Sequence, residues 1–153
     1  MTTEINAGEL VLRPLTAAQA HDIAANDRLP QPLRAGEGWP HADSYDGLRM
    51  ASGDGYTWLL TLDDLVIGDC GTLGGPGEDG EIEIGYGLAE PYRGRGYGAM
   101  LVKPLADFLL VRPGVNRVVA ETLPSNRPSY RVLERAGFRR TSETDTELRY
   151  AYP

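Results

Sequence analysis

The sequence predicts a mixed α/β domain, because stretches with strand-like alternation are interspersed with stretches whose apolar residues recur at helical spacing. Its 153 residues, 41% of them hydrophobic, suffice for the core of one domain spanning 1–153. No internal repeat divides the chain. The expected order is β-α-α-β-β-β-α-β-α-β-β, a mixed sheet of about seven strands flanked by about four helices.

Leu10-Val11-Leu12-Arg13 reads as the first strand, closed by Pro14. Thr16 stands as an N-cap before the helix-forming run 17–25. Residues 28–42 carry Pro30, Pro32, Gly36, Gly38 and Pro40, the marks of a loop with little regular structure. Loops of that length inside a domain are more often functional than idle. A short second helix is expected over about Asp43 to Ser52.

From Tyr56 the period changes. Residues 56–62 and 65–72 form two strand candidates joined by Asp63-Asp64, a hairpin signature. A Gly/Pro-rich loop leads to Glu81-Ile82-Glu83-Ile84-Gly85-Tyr86-Gly87-Leu88, where charged and apolar residues alternate. After the glycines at 94–98, Leu101, Leu105 and Phe108 fall at helical spacing, with a kink expected at Pro104. Residues 117–122 read as a strand, and Pro128 opens a helix that ends near Ala136 with Gly137 as its stop. Phe138 to Arg140 and Glu147 to Tyr152 close the chain as strands.

Composition excludes several functions. No apolar run approaches the roughly 18 residues of a membrane span, and the N-terminus lacks the basic and apolar parts of a signal peptide, so the expected setting is cytoplasmic with no membrane partner. The single cysteine, Cys70, excludes an internal disulfide, and His21 and His41 are too few for a zinc site, so no metal is expected. A net charge of −7 argues against a nucleic-acid partner. The charge is uneven: residues 1–76 hold 4 Arg and 11 Asp+Glu, whereas 77–153 hold 11 Lys+Arg and 11 Asp+Glu. The first half suits a cationic partner, and the arginine clusters of the second suit an anionic one.

The most informative stretch is Tyr92-Arg93-Gly94-Arg95-Gly96-Tyr97-Gly98-Ala99-Met100. Three glycines between a strand and a helix let backbone N–H groups approach an anion at the positive helix end, and Arg93 and Arg95 add charge-assisted bonds. A pyrophosphate-like group is the natural target. Gly94, Gly96 and Ala99 also fit a dinucleotide fingerprint, but five residues, 89–93, separate strand from glycines where that fingerprint turns at once.

The run Arg93-Gly94-Arg95-Gly96-Tyr97-Gly98 resembles the Arg/Gln-x-x-Gly-x-Gly signature of the GNAT superfamily of N-acetyltransferases. Downstream, 126–138 resembles that superfamily's Asn-x-x-Ser…Glu-(Lys/Arg)-x-Gly-Phe segment, with Asn126, Ser129, Glu134, Arg135, Gly137 and Phe138 at the matching places. The opening Leu10-Val11-Leu12-Arg13-Pro14 is similar to the start of the ribosomal-protein N-terminal acetyltransferase branch.

The resemblance implies a GNAT fold with the sheet splayed after the fourth strand and acetyl-CoA in the V-shaped opening. It implies that Gly87 and Leu88 bond the pantetheine arm, that Arg93, Gly94, Arg95, Gly96, Tyr97, Gly98 and Ala99 hold the pyrophosphate, and that Asn126 faces the pantetheine side. The acceptor would be an amine, cationic by the charge asymmetry: a peptide N-terminus, a polyamine, an antibiotic or a small metabolite. A different acyl-CoA, or a non-catalytic acyl-CoA-sensing module, stays open, as does a homodimer.

Leu133 occupies the place where many of these enzymes carry a tyrosine acid, which leaves Ser129, Tyr130 and solvent as candidates for protonating the leaving thiolate. Glu121, on a strand five residues before Asn126, and Glu83, on the strand leading to the glycine loop, are the candidate bases, Glu83 being equally a solvated residue. His21 and His41 read as surface residues and Cys70 as a small buried hydrophobe.

Overall fold

In the computed structural model, which describes residues 3–153, the chain folds as β1 (Ile5–Ala7), β2 (Leu10–Leu15), α1 (Ala17–Asn26), β3 (Arg34–Ala35), α2 (Ala42–Arg49), β4 (Thr57–Leu62), β5 (Leu65–Thr72), β6 (Glu81–Leu88), a short 3₁₀ turn (Glu90–Tyr92), α3 (Tyr97–Leu110), β7 (Arg117–Thr122), α4 (Arg127–Arg135), β8 (Arg139–Glu143) and β9 (Leu148–Tyr152). The strands run β1-β2-β4-β5-β6-β7-β9-β8, with β3 beside β5. Four helices and the mixed sheet match the expected class. Two short strands, β1 and β3, exceed the expected seven.

Each difference has a local cause. Three residues are too few for β1 to show a period; it forms because Gly8, at φ +64°, turns it back onto Leu10–Leu12. β3, inside the expected loop, is a two-residue parallel pairing of Arg34 and Ala35 with Leu65 and Val66. β2 continues through Pro14 instead of stopping there. Its partner β1 ends opposite Leu12, so on that side Pro14 has no neighbour to which its missing N–H would be owed.

Local chemistry sets the helix starts. The Thr16 hydroxyl accepts from the Gln19 N–H at 3.1 Å, and the Gln19 side chain accepts from the Thr16 N–H at 2.9 Å. The hairpin at Asp63-Asp64 forms as expected, with Asp63 at φ +52°.

The core lies on both faces of the sheet. Leu10, Leu12, Trp58, Leu60, Ile82, Ile84, Val118, Ala120 and Tyr150 pack with Leu101, Leu105 and Leu109 of α3. On the other face Leu15, Leu59 and Val66 pack with Ala20 and Ile23 of α1, Leu48 of α2 and Trp39.

One irregularity creates the site. β6 pairs with β7 only over Glu81–Glu83, against Arg117–Val119, while it stays paired to β5 along Ile84–Leu88. The sheet therefore opens beyond Glu83, leaving residues 84–88 with no strand on the β7 side. This is the splay expected after the fourth of the seven predicted strands.

Candidate active site

The opening widens into a groove of about 1480 Å³. Its walls are the free edge of β6, the turn into α3 and the start of α4, with residues of α2 and β5 across from them. Gly85 and Gly87 keep the β6 wall low, because neither puts a side chain into the space.

The floor at the α3 end is backbone. Gly94 and Gly96 take φ +74° and +86°, and apart from adjacent backbone no atom lies within 4 Å of where a Cβ would stand on either. Gly96 is the N-cap of α3, and Gly96, Tyr97, Gly98 and Ala99 all line the groove. The first N–H groups of a helix have no partner within it, so this turn offers donors together with the positive helix end. It is an open cradle for an anion.

Arginines stand around it. Arg93, Arg127, Arg131 and Arg135 line the groove, and none forms an ion pair among the described residues. Arg127, Arg131 and Arg135 recur every four residues, which places them on one stripe of α4. Arg93 bonds its Nε to the Leu88 carbonyl at 2.9 Å, fixing the end of β6 to the turn. Unpaired guanidiniums beside a donor-rich helix start fit a phosphate-bearing ligand.

Asn126 lines the groove and caps α4, its side chain accepting from the Ser129 N–H at 3.3 Å. Ser129 also lines it, and its Oγ lies 3.5 Å from the Tyr86 Oη. Burial pushes the Tyr86 phenol above its ordinary value, opposed by the hydrogen bond with Ser129, so the phenol keeps its proton.

Of the residues named from sequence, Gly87, Leu88, Arg93, Gly94, Gly96, Tyr97, Gly98, Ala99, Asn126 and Ser129 are brought together here. Arg95 is not, and stacks its guanidinium 5.6 Å over the Tyr92 ring. Tyr130 packs against the core beneath Arg140. Glu83 and Glu121 are also outside the lining. Glu121 is salt-bridged to Arg149, which reaches Glu81 at 2.9 Å, so its carboxylate is committed to a structural ion cluster. Burial and the charge of Glu121 push Glu83 above the ordinary glutamate value.

Other groove residues were given no role in the sequence reading. Tyr86 read only as an alternating strand residue, and Arg131 and Arg135 fell within the 126–138 segment with no role in a groove assigned to them. His41, read as a surface residue, lines the groove, with its Nε2 buried and without a partner. Cys70 is buried as expected, and burial pushes its thiol well above the ordinary value, so it is no nucleophile. Among the described residues no group of three or more His, Cys, Asp or Glu could hold a metal ion, and no helix is long and apolar enough to cross a membrane.

Comparison with known proteins agrees with this geometry. The acetyltransferase (GNAT) domain family matches residues 9–139. The uncharacterized N-acetyltransferase YjdG of Bacillus subtilis (strain 168) is 29% identical over 111 residues, 65% of this chain and 66% of that protein, so the match spans just under two thirds of the relative's length. Among solved structures, the aminoglycoside acetyltransferase AAC(6')-Ib in complex with coenzyme A superposes with a TM-score of 0.66 at 22% identity, covering 94% of each chain. RimL, a ribosomal L7/L12 alpha-N-protein acetyltransferase also in complex with coenzyme A, gives 0.68 at 16% identity over 98% of this chain and 97% of that one.

Proposed function

The chain belongs to the GNAT acetyltransferase family, and from that membership we propose that it transfers an acetyl group from acetyl-CoA to a primary amine of a cationic acceptor. The observation that carries this reading is the groove itself. It joins an open glycine cradle at a helix N-terminus to four unpaired arginines and the free edge of β6.

Acetyl-CoA supplies an acetyl group activated as a thioester. The chain's own residues do the rest. The N–H groups of 96–99 and the arginines of the groove hold the phosphates, with Gly94 and Gly96 leaving room for close approach. Backbone groups of Gly87 and Leu88, which have no strand partner on the β7 side, bond the pantetheine arm and stabilise the oxygen that gains charge during transfer. Asn126 faces the same arm. On the leaving side, the Tyr86–Ser129 hydroxyl pair donates a proton to the departing sulfur. A thiol of pKa near 8.5 leaves tolerably unaided, so this donor is an assistant.

The two coenzyme-bound neighbours are named for different acceptors, an aminoglycoside in one and a ribosomal protein in the other, so the acceptor must be argued from this chain. All of its −7 net charge lies in residues 1–76, which supply Asp43 and Asp69 to the groove. A cationic amine fits that wall. A single reduced cysteine and a cytosolic acetyl donor fit a cytoplasmic enzyme.

The test is coenzyme thiol release from acetyl-CoA across cationic, neutral and anionic amines, with products identified by mass spectrometry. Acetylated amine, best with cationic acceptors, is expected. Turnover only with a longer acyl-CoA would change the donor, and coenzyme binding with no transfer to any amine would leave a sensing module.

A further inference from the structure

We propose that His41 and Asp69 form the acceptor-amine end of the groove: the His41 Nε2 receives a hydrogen bond and then the proton from the acceptor nitrogen, while the Asp69 carboxylate selects a positively charged acceptor. This deepens, and rests on, the acetyltransferase reading above.

His41 stands at the start of α2, its backbone N–H donating to the Ser44 Oγ at 3.3 Å. Its ring lies against Gly87, with Cε1 and Nε2 3.6 and 3.7 Å from where a Gly87 Cβ would stand. Gly87 is the residue directly opposite Asp69 in the β5–β6 register. The imidazole, the carboxylate and the strand edge that would hold the pantetheine arm therefore meet at one place.

Two features separate this cluster from ordinary surface polarity. The His41 Nε2 is buried with no hydrogen-bond partner. Leaving such a nitrogen unpaired is costly, a cost relieved when a donor reaches it. Asp69, meanwhile, is anchored: the Trp39 Nε1 donates to its Oδ2 at 2.9 Å, and Trp39 is itself only 4% exposed. Burial pushes the Asp69 carboxyl up from the ordinary aspartate value, Asp43 adds to that, and the bonds from Trp39 and Ser44 oppose it. A fixed, desolvated carboxylate beside an unpaired imidazole gives an arriving ammonium both a counter-charge and a place for its proton.

The step balances within the groove. The acceptor ammonium gives one proton to Nε2, which passes it to water. The lone pair so freed forms the new bond to the acyl carbon, and the carbon–sulfur pair leaves on sulfur, which takes a proton from the Tyr86–Ser129 pair. The second proton, lost from the nitrogen as the amide forms, passes through water to restore that pair.

The acceptor's identity is not needed for the test. Two stable thioethers, S-(3-aminopropyl)-CoA and S-propyl-CoA, differ by one ammonium placed beyond the sulfur, and their affinities are measured by calorimetry. The wild-type protein should prefer the aminopropyl form by about 10-fold or more. His41→Asn, which keeps a capping side chain on α2, and Asp69→Asn, which keeps an acceptor for Trp39, should each bring the two affinities to within about 3-fold while leaving S-propyl-CoA binding unchanged. Equal wild-type affinities, or a preference that survives both substitutions, overturns the assignment while the coenzyme site stands. Failure of the wild-type protein to bind either thioether overturns the acetyltransferase reading beneath it.

Discussion

Gly96 carries more of the coenzyme assignment than any other single position. At φ +86° any side chain there costs about 1–2 kcal/mol in backbone strain, but nothing within 4 Å obstructs a Cβ. Gly96→Asp adds a negative charge at the cradle, whereas Gly96→Asn adds the same strain without it. Acetyl-CoA at about 100 times its Kd stabilises the wild-type fold by roughly 2.7 kcal/mol, or about 5–10 °C in Tm for a chain of this size. Gly96→Asp should lose that shift and Gly96→Asn should keep part of it, as read by thermal unfolding with and without acetyl-CoA.

Glu83 and Glu121 lead to a different expectation. Because Glu121 is held by Arg149 outside the groove, Glu121→Gln should change kcat/KM by less than about 3-fold, far short of the 10²-fold or more lost with a general base. For Glu83, burial and then the Glu121 charge raise the folded-state value, so the folded chain holds its proton more tightly than the unfolded chain does. Stability contributed by that proton is present below the ordinary glutamate value and is lost as pH rises through the folded value. Glu83→Gln should therefore raise Tm near neutral pH, with the difference vanishing in acid below the ordinary glutamate value. Thermal unfolding of the two proteins across pH reads this directly.

At the scale of elements, α1 and α4 can be separated by what their ends do. The reciprocal Thr16–Gln19 cap serves only the fold, so Thr16→Ala should cost about 1 kcal/mol, roughly 2–4 °C in Tm, with coenzyme affinity unchanged. The stripe on α4 should behave in the opposite way. Arg127 and Arg131 are exposed and form no ion pair among the described residues, so the double Arg127→Ala, Arg131→Ala variant should keep its Tm and bind acetyl-CoA about 10-fold more weakly at low salt, by calorimetry. Raising the salt should narrow that gap.

Which elements could be read from the sequence follows from how far their signals extend. β6, α3 and α4 announce themselves by period, glycine and proline placement, and these are the elements that wall the groove. β1 and β3, of three and two residues, exist only through their partners and leave no period to find. The His41–Asp69 end of the groove was hidden for the same reason. His41, Asp69 and Trp39 lie on a loop, a strand and a loop, and only the β5–β6 register and the packing of α2 bring them together. Chemistry assembled from distant segments has no spacing to recognise.

On the scale of the whole molecule, charge is divided between the two halves of the chain. The chain's net −7 lies in its first half, which supplies Asp43 and Asp69 to the groove, while the second half is neutral overall and supplies Arg93, Arg127, Arg131 and Arg135. Steady-state kinetics with a cationic amine should show the acceptor KM rising with ionic strength, and a neutral amine should show little change.

The path of the coenzyme through the splayed sheet can be observed without any acceptor. Backbone amide spectra of the ¹⁵N-labelled protein titrated with coenzyme A should show the largest shifts at Gly96–Ala99, at Gly87 and Leu88, and at the start of α4 around Asn126 and Ser129. Residues of the Glu81–Glu121–Arg149 ion cluster should move little. Shifts centred on that ion cluster with a silent 96–99 turn, or a titration that leaves the spectrum unchanged, would contradict the placement of the coenzyme between β6 and β7.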